Sequence, residues 1–271
     1  MSLKPMILTA ALLGFSGIAH AGVIIKIQNE NVSAGKPAES SIMKIEGNRM
    51  RADSGTETSM IFFGDTDEMY IIDHNKKTYV VMDRETIEAM GAKMSEAMKQ
   101  MEAALANVPP EQREMMEKMM KGKMKGMPSS EPRAEPVVTS LGKSDTVSGI
   151  GCEWQQVSRD DVVELKACVG QYSDFPASDD VRRISEEMKE FVASLTEAVS
   201  TITSGPLGSF AGSPMSAMAL DGFPLISENF QDGKLTHRSR FQSVEEGSIS
   251  GEEFTPPSGY KKQDIRKMMG Q

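Results

Sequence analysis

Residues 58–83 read TSMIFFGDTDEMYIIDHNKKTYVVMD, three hydrophobic segments separated by two short polar ones. The separators are GDTD at 64–67 and DHNK at 73–76. Gly, Asp and Asn tolerate the backbone angles of tight turns, so both separators are typical of turns between strands. Connections this short join antiparallel neighbours. The stretch therefore predicts three strands of an antiparallel meander.

The residues before this stretch extend the same pattern toward the N-terminus. GVIIKIQ at 22–28 is typical of a strand, and SIMKIEGNRMRAD at 41–53 predicts two strands around Glu46-Gly47-Asn48. Successive hairpins of this kind predict that residues 22–82 form one sheet.

The first 21 residues have the pattern of a secretory signal peptide. Lys4 precedes an apolar run from Met6 to Ile18, and Ala19-His20-Ala21 matches a small-x-small cleavage site. The run is too short to span a membrane. We expect cleavage after residue 21, export to the periplasm, and a single domain over 22–271. No later segment is long and apolar enough to span a bilayer, although peripheral membrane contact stays open.

The 271-residue chain carries a formal net charge of −9. Proteins that bind nucleic acids need clustered cations, so this charge argues against a nucleic-acid partner.

A change of period after residue 83 predicts a helical insertion at about 84–125. Apolar residues recur at spacings of three and four over 84–105, Val108-Pro109-Pro110 interrupts them, and a second amphipathic segment follows over 111–124. The two segments predict a helical hairpin. Its apolar stripes are rich in methionine, at Met90, Met94, Met98, Met101, Met115, Met116, Met119, Met120 and Met124.

This methionine-rich stripe has four interpretations. Plain core or lid packing ranks first, and an adaptable surface for a hydrophobic ligand second, because Met is flexible and polarisable. Contact with an anionic membrane is a third, since Lys118, Lys121, Lys123 and Lys125 lie beside the stripe. Binding of Cu(I) by thioethers is the last, because no histidine lies between His74 and His237 to complete a typical copper site.

The two cysteines, Cys152 and Cys168, predict one disulfide. GCEWQQVSRDDVVELKACVG, residues 151–170, is typical of a hairpin. With Asp160 at its centre, Cys152 lies directly opposite Cys168, at a separation that a disulfide can bridge. An exported protein is also in the compartment where disulfides persist.

The rest of the chain predicts one more long helix and more strands. Residues 174–204 have a helical apolar stripe, and 223–244 form a hairpin on Asp232-Gly233, a strong turn signal. A last short strand is expected near Glu253-Phe254.

No catalytic grouping is evident in the sequence. His74 falls in a polar turn, and His237 in a predicted strand opposite Glu228, a pairing that is more often structural than catalytic. None of the nucleotide-binding, hydrolase or metalloprotease motifs is present. We therefore expect a protein that is not an enzyme, with no catalytic residue, no metal site and no cofactor.

In combination, several of these segments resemble a bacterial secreted family of unknown function whose predicted fold is similar to the lipoprotein-localisation proteins LolA and LolB. The segments are GVIIKIQ (22–28), SIMKIEGNRMRAD (41–53), DEMYIIDHNKKTYVVMD (67–83), PPEQREMMEKMMKGKM (109–124), SGIGCEWQQV (148–157) and EEFTPPSGYKK (252–262). The resemblance implies an α+β fold. It would be an antiparallel, incomplete β-barrel, with the Met-rich helical hairpin and one further long helix on or over its concave face.

The resemblance and the methionine stripe together predict a non-enzymatic periplasmic protein that binds an acyl chain, a lipid or a lipoprotein, with these methionines as a hydrophobic lid. The alternative is a structural or stress-related envelope protein that acts by protein–protein contact. Copper binding ranks behind both.

Overall fold

The described part of the chain forms twelve strands and two long helices. The computed structural model describes residues 22–106, 134–199 and 214–265. The first strands are β1 Gly22–Asn31, β2 Glu39–Glu46, β3 Arg49–Ser54, β4 Thr58–Phe63, β5 Glu68–Asp73 and β6 Thr78–Met82, and helix α1 follows at Arg84–Ala106. The later elements are β7 Val137–Val147, β8 Ile150–Arg159, β9 Val162–Gly170, α2 Ser178–Val199, the short α3 Pro214–Ala217, β10 Phe223–Gln231, β11 Lys234–Gly247 and β12 Lys261–Gln263.

All twelve strands belong to one sheet, in the order β12-β6-β5-β4-β3-β2-β1-β11-β10-β9-β8-β7. Strands β1 to β6 form the predicted meander, with every neighbour antiparallel. The later strands join this meander through β1, which pairs with β11 from Gly22 to Asn31. At the far end β12 pairs with β6 in parallel. The sheet is open, because β7 and β12 each have a neighbour on one side only among the described strands.

The predicted fold class is wrong. An incomplete antiparallel barrel with a Met-rich helical hairpin and a further long helix was expected, whereas the described residues form an open twelve-stranded sheet with two long helices. One reason is that β12 returns to β6 from the far end of the chain and extends the sheet by a parallel pair that no local turn signal reveals. Helix α1 is found where the first helix was predicted, and residues 111–124 of the predicted hairpin lie outside the described residues.

One face of the sheet packs against α1 and α2. The Phe62 ring lies 5.3 Å from the Phe191 ring of α2, and both side chains are buried. The same hydrophobic cluster includes Ile87 and Met90 of α1. At the start of α2, the Asp180 carboxylate accepts a 3.0 Å hydrogen bond from the Gly47 amide in the β2–β3 turn. This bond holds α2 in register with the sheet.

The other face of the meander packs against the C-terminal segment, residues 248–263. Ile61 neighbours Phe62 in β4 and therefore points to the opposite face, where it is buried with Ile72 and Phe254. The Arg49 guanidinium lies 4.5 Å from the centroid of the Phe254 ring. A strand was predicted near Glu253-Phe254, but these residues end a 3₁₀ helix, Gly251–Phe254, and the strand comes later as β12.

The disulfide between Cys152 and Cys168 is confirmed, but the predicted strand register is wrong. Trp154, not Cys152, pairs with Cys168, so the disulfide runs diagonally between β8 and β9 over a Cα–Cα distance of 5.3 Å. The turn contains two residues with positive φ, Asp160 (47°) and Asp161 (61°), and not the single central residue that was assumed. A register shift between Val157 and Ser158 adds to the difference.

Candidate functional site

The predicted methionine site is located only in part. Met90 is completely buried on α1, in the cluster that packs the helices on the sheet. Met94, Met98 and Met101 follow on the same helix. The remaining predicted lid residues, Met115, Met116, Met119, Met120 and Met124, lie outside the described residues. The position of Met90 is that of a core residue, and the hydrophobic lid stays a prediction.

The exposed apolar side chains lie at one end of the sheet. Within the described ranges, the large hydrophobic residues that are exposed are Val137 (59%), Val138 (41%), Leu141 (42%) and Val162 (53%). Three of them belong to β7. Val162 begins β9, and its partner Arg159 is next in β8 to Ser158, the partner of Val137. Single exposed hydrophobic residues are ordinary, but a concentration of them marks a surface that another molecule covers.

Strand β7 offers backbone as well as side chains, because it is the last strand of the sheet. It pairs with β8 on one side, and its other side carries no strand of the described residues. Every residue of β7 from Val137 to Thr146 is exposed. We call the free side of β7, together with Val162, the β7 edge. The opposite edge of the sheet, β12, is only three residues long.

A bulge divides the β7 edge into two parts. Leu141, Gly142 and Lys143 lie opposite the single residue Trp154, and Gly142 has a φ of 62°. The Lys143 ammonium lies 5.3 Å from the centroid of the Trp154 ring. Bulges and charges are devices that protect a sheet edge from pairing with other chains. They protect the middle of β7, whereas residues 137–140 carry no bulge, charge or proline.

Acidic residues surround this unprotected part. Glu135, Asp160 and Asp161 are exposed close to the start of β7, and no ion pair joins any of the three to another described residue. The nearby cation, Arg159, is mostly buried, and its Nε lies 3.2 Å from a Glu164 carboxylate oxygen. The unprotected part of the β7 edge is therefore apolar with a negative rim.

A second polar cluster, on β3 to β5, brings a serine close to a histidine. Ser59 Oγ lies 2.7 Å from His74 Nε2, and His74 Nδ1 lies 3.0 Å from the Tyr260 hydroxyl. Ser59 Oγ also lies 2.5 Å from Asp53 Oδ1, and Arg51 donates to Ser59 Oγ at 3.1 Å. Sequence reasoning missed this serine–histidine pair. The predicted β4–β5 hairpin could have signalled it, because the pairing of Thr58 with Asp73 places Ser59 close to His74.

The hydrogen bonds of this cluster connect separate segments of the same chain. Asp53 is ion-paired with Arg51, and its carboxylate can only accept, so the single Ser59 proton goes to Asp53. His74 Nε2–H then donates to Ser59, and in the neutral tautomer that carries this proton, Nδ1 accepts from the Tyr260 hydroxyl. A serine nucleophile must give its proton to the histidine, and here the carboxylate takes it. Ser59 is also only 2% exposed, beyond the reach of a substrate.

The sequence predicted that His237 lies opposite Glu228, and this prediction is wrong. A register shift after Asn229 pairs His237 with Asn229 and Glu228 with Arg238. The Arg238 side chain donates two hydrogen bonds to Glu228 Oε1, at 3.1 and 3.0 Å. Glu228 and Arg238 therefore form an ordinary cross-strand ion pair.

A shallow groove of about 540 Å³ lies between the β2–β3 and β4–β5 turns. It is lined by Glu46, Gly47, Asn48, Arg49, Phe63 and Asp65, so charged side chains border a wall that is more apolar than polar. Nearby on α2, Glu187 has one carboxylate oxygen buried without a hydrogen-bond partner, close against Gly64. Burial raises the pKa of the Glu187 carboxyl above its usual range; Asp65, Asp67 and Glu190 raise it further, and Arg183 opposes them.

The described ranges, 22–106, 134–199 and 214–265, offer neither a clustered set of metal ligands nor a membrane-spanning helix. Within them, no group of three or more His, Cys, Asp or Glu side chains is arranged to hold a metal ion. Neither of the two long helices in these ranges is apolar enough over its length to cross a membrane.

Comparison with known proteins gives no family for the chain. No family model matches it, and no curated protein matches its sequence. An uncharacterized conserved protein from Thermus thermophilus has a similar structure, with 5% identity, a TM-score of 0.41 and coverage of 90% of both chains. Two structures of PNGF-II match with 8% and 10% identity and TM-scores of 0.41 and 0.40. Each covers 92% of this chain but only 32% of PNGF-II, so the chain spans a minor part of that protein.

Proposed function

We propose that the chain is a non-enzymatic periplasmic protein that binds a hydrophobic ligand, such as an acyl chain, a lipid or a lipoprotein, at the β7 edge. The observation that carries this proposal is the concentration of exposed apolar side chains there, at Val137, Val138, Leu141 and Val162. The Cys152–Cys168 disulfide is consistent with a protein outside the cytoplasm. The signal-peptide pattern of residues 1–21 supports the same compartment.

The side chains of β7 suit a surface that is covered when occupied. Val137 and Val138 are neighbours in a strand, so they point to opposite faces of the sheet, and both are exposed. Strands with apolar residues on both faces are typical of a buried position in a sheet. A ligand that covers β7 would give these residues that environment.

The test uses fluorescent fatty acid and acyl peptide, with native mass spectrometry to detect lipid that purifies with the protein. In the triple variant Val137→Thr, Val138→Thr and Val162→Thr, β-branched residues are kept while apolar surface is lost. We expect binding to weaken by about tenfold or more, because each buried Val side chain contributes ~1.5 kcal/mol or more. The unfolding midpoint should change little, since all three positions are exposed.

Two results would count against the proposal. Undiminished binding in the triple variant would place the ligand away from the β7 edge. Absence of binding by every lipid and acyl probe would favour the alternative, an envelope protein that acts by protein–protein contact. That alternative has its own support, because the side of β7 that no described strand pairs carries backbone groups that another polypeptide strand can use.

A further inference from the structure

The unprotected part of the β7 edge, residues 137–140, has features that limit which kind of ligand can bind there. It combines a free strand edge at residues 137–140, exposed apolar side chains on both faces, and a rim of exposed carboxylates at Glu135, Asp160 and Asp161. We propose that its occupant is an extended polypeptide segment with alternating apolar and basic residues, which adds to the sheet as a further strand beside β7. This inference rests on the proposed function for the location of the site, and it narrows the ligand to the polypeptide part of a lipoprotein in place of a free acyl chain or lipid.

The backbone argues for a polypeptide over an acyl chain. A strand at the end of a sheet presents a row of unpaired N–H and C=O groups, and an incoming strand satisfies them with its own. An acyl chain has no such groups and would leave those of β7 to water. Natural edges are blunted by charge, bulge, proline or shortness. The bulge at Leu141–Lys143 does this for the middle of β7, and the three-residue length of β12 does it for the other edge.

The charges argue for a basic partner. Asp160 and Asp161 form the β8–β9 turn, which lies beside the first residues of β7, and Glu135 lies two residues before Val137, where that strand begins. The cation next to this turn, Arg159, is already engaged by Glu164. A second copy of this chain would bring the same carboxylates against these, in a molecule of formal net charge −9. Charge complementarity therefore favours a basic segment over self-pairing.

The experiment compares two short peptides, one of alternating valine and lysine and one of alternating valine and glutamate, by calorimetry at low and at physiological ionic strength. The lysine peptide should bind at least about tenfold tighter at low salt, and the difference should shrink as salt screens the exposed charges. A triple variant, Glu135→Gln, Asp160→Asn and Asp161→Asn, should bring the two affinities to within about twofold. Asparagine tolerates the positive φ of both turn residues, so the turn is kept.

A matched control removes the same amount of charge elsewhere. Glu57→Gln, Asp232→Asn and Glu246→Gln neutralise three exposed carboxylates, one of them also in a positive-φ turn, at Asp232. This variant should keep the preference for the lysine peptide. An equal loss of preference in the control would mean that only the net charge of the molecule matters, and would overturn the inference.

A pair of proline variants tests strand addition itself. Neighbouring amides in a strand point to opposite sides, so one of Thr139→Pro and Ser140→Pro removes an N–H that faces β8, and the other removes one that faces the free edge. Hydrogen exchange of the wild type identifies the free one, which exchanges faster. Its replacement should abolish peptide binding and leave the unfolding midpoint unchanged, whereas the other should lower the midpoint.

The remaining outcomes separate the inference from the proposed function. Equal affinity for both peptides, or full binding by the free-edge proline variant, overturns the inference alone. Binding of acyl peptide but of neither alternating peptide also overturns it and leaves the proposed function standing. Self-association of the wild type that the free-edge proline variant prevents would make the occupant a second copy and overturn the basic segment. Binding of no probe at all defeats both proposals.

Discussion

Ser59 illustrates how one proton decides the character of a polar cluster. Its hydroxyl has one proton, which Asp53 accepts, and two lone pairs, to which Arg51 and His74 donate. The other ring nitrogen of His74, Nδ1, is hydrogen-bonded to the Tyr260 hydroxyl. Because Tyr260 belongs to the C-terminal segment, the cluster joins that segment to the β5–β6 turn, where His74 lies. Its role is to hold two distant parts of the chain together.

We expect Ser59→Ala to lower the free energy of unfolding by ~1–3 kcal/mol, because His74 loses its acceptor and Asp53, although still paired with Arg51, loses the hydrogen bond from Ser59. Urea unfolding measures this change. Ser40→Ala is the matched control, since Ser40 is exposed on β2 of the same sheet, and it should stay within about 0.5 kcal/mol of the wild type. Equal values for the two variants would show that the cluster contributes nothing to stability.

Glu187 should make stability depend on pH in a direction opposite to that of most carboxylates. Burial and the charges of Asp65, Asp67 and Glu190 raise its pKa in the folded protein. The folded state therefore keeps the proton to a higher pH than the unfolded chain does. As the pH rises from the usual carboxyl range through this raised value, the folded state loses stability relative to the unfolded chain.

The variant Glu187→Gln removes this titration, so it should unfold at higher temperature than the wild type at about pH 7, and the gain should vanish near about pH 4. Thermal unfolding over a pH series measures it. Glu186→Gln, at the adjacent exposed position of α2, is the control and should show no such trend. A gain that persists unchanged at acid pH would have another cause, such as the helix propensity of glutamine.

At the scale of single elements, the β8–β9 hairpin shows what local sequence can and cannot predict. The cysteine pair and the turn region were predicted from residues 151–170, and the disulfide is present. The register was wrong, because it depends on the number of turn residues and on a shift at Val157–Ser158. Neither has a sequence signal as clear as Asp232-Gly233, around which β10 and β11 pair as predicted up to the shift at Asn229.

The disulfide should stabilise this hairpin chiefly by restricting the unfolded chain. Cys152 and Cys168 are 16 residues apart, and a loop of this length contributes ~3 kcal/mol in the chain-entropy model. The double variant Cys152→Ser and Cys168→Ser should therefore lose about that much in urea unfolding. Reductant should destabilise the wild type by a similar amount and have no effect on the double variant. A wild type equally stable with and without reductant would contradict this account.

At the scale of the whole molecule, the pairings between strands far apart in the sequence were not predicted. The strands β1 to β6 are joined by short connections, so their pairing can be predicted from local sequence. The pairs β1–β11 and β12–β6 join segments about 180 residues or more apart. The β7 edge was missed for the same reason. A strand such as VVTS at 137–140 shows its apolar character in the sequence, but its place at the end of the sheet depends on how all twelve strands are ordered.

The two ends of this open sheet are treated differently. At one end the C-terminal segment covers Ile61 and Ile72 and adds the three-residue β12 to β6. At the other end β7 is left exposed over ten residues. The last described residues thus make the three-residue β12, and not the five-residue β6, the strand at the edge opposite β7.

Phe254 is the residue that should hold this C-terminal segment in place. Its ring is buried with Ile61, Ile72 and Ile249, beneath the Arg49 guanidinium, and the Lys44–Glu253 ion pair at 2.9 Å is adjacent. We expect Phe254→Ala to cost ~3–5 kcal/mol of unfolding free energy and Phe254→Leu much less, since leucine refills most of the cavity.

The alanine substitution should also release β12 from the sheet, because β12 leaves with the C-terminal segment. Trypsin should therefore cleave Phe254→Ala faster at Lys261 and Lys262, and the amides of β6 should exchange faster. Unchanged cleavage together with unchanged exchange in Phe254→Ala would show that β12 is held by its own pairing with β6 and not by the buried ring.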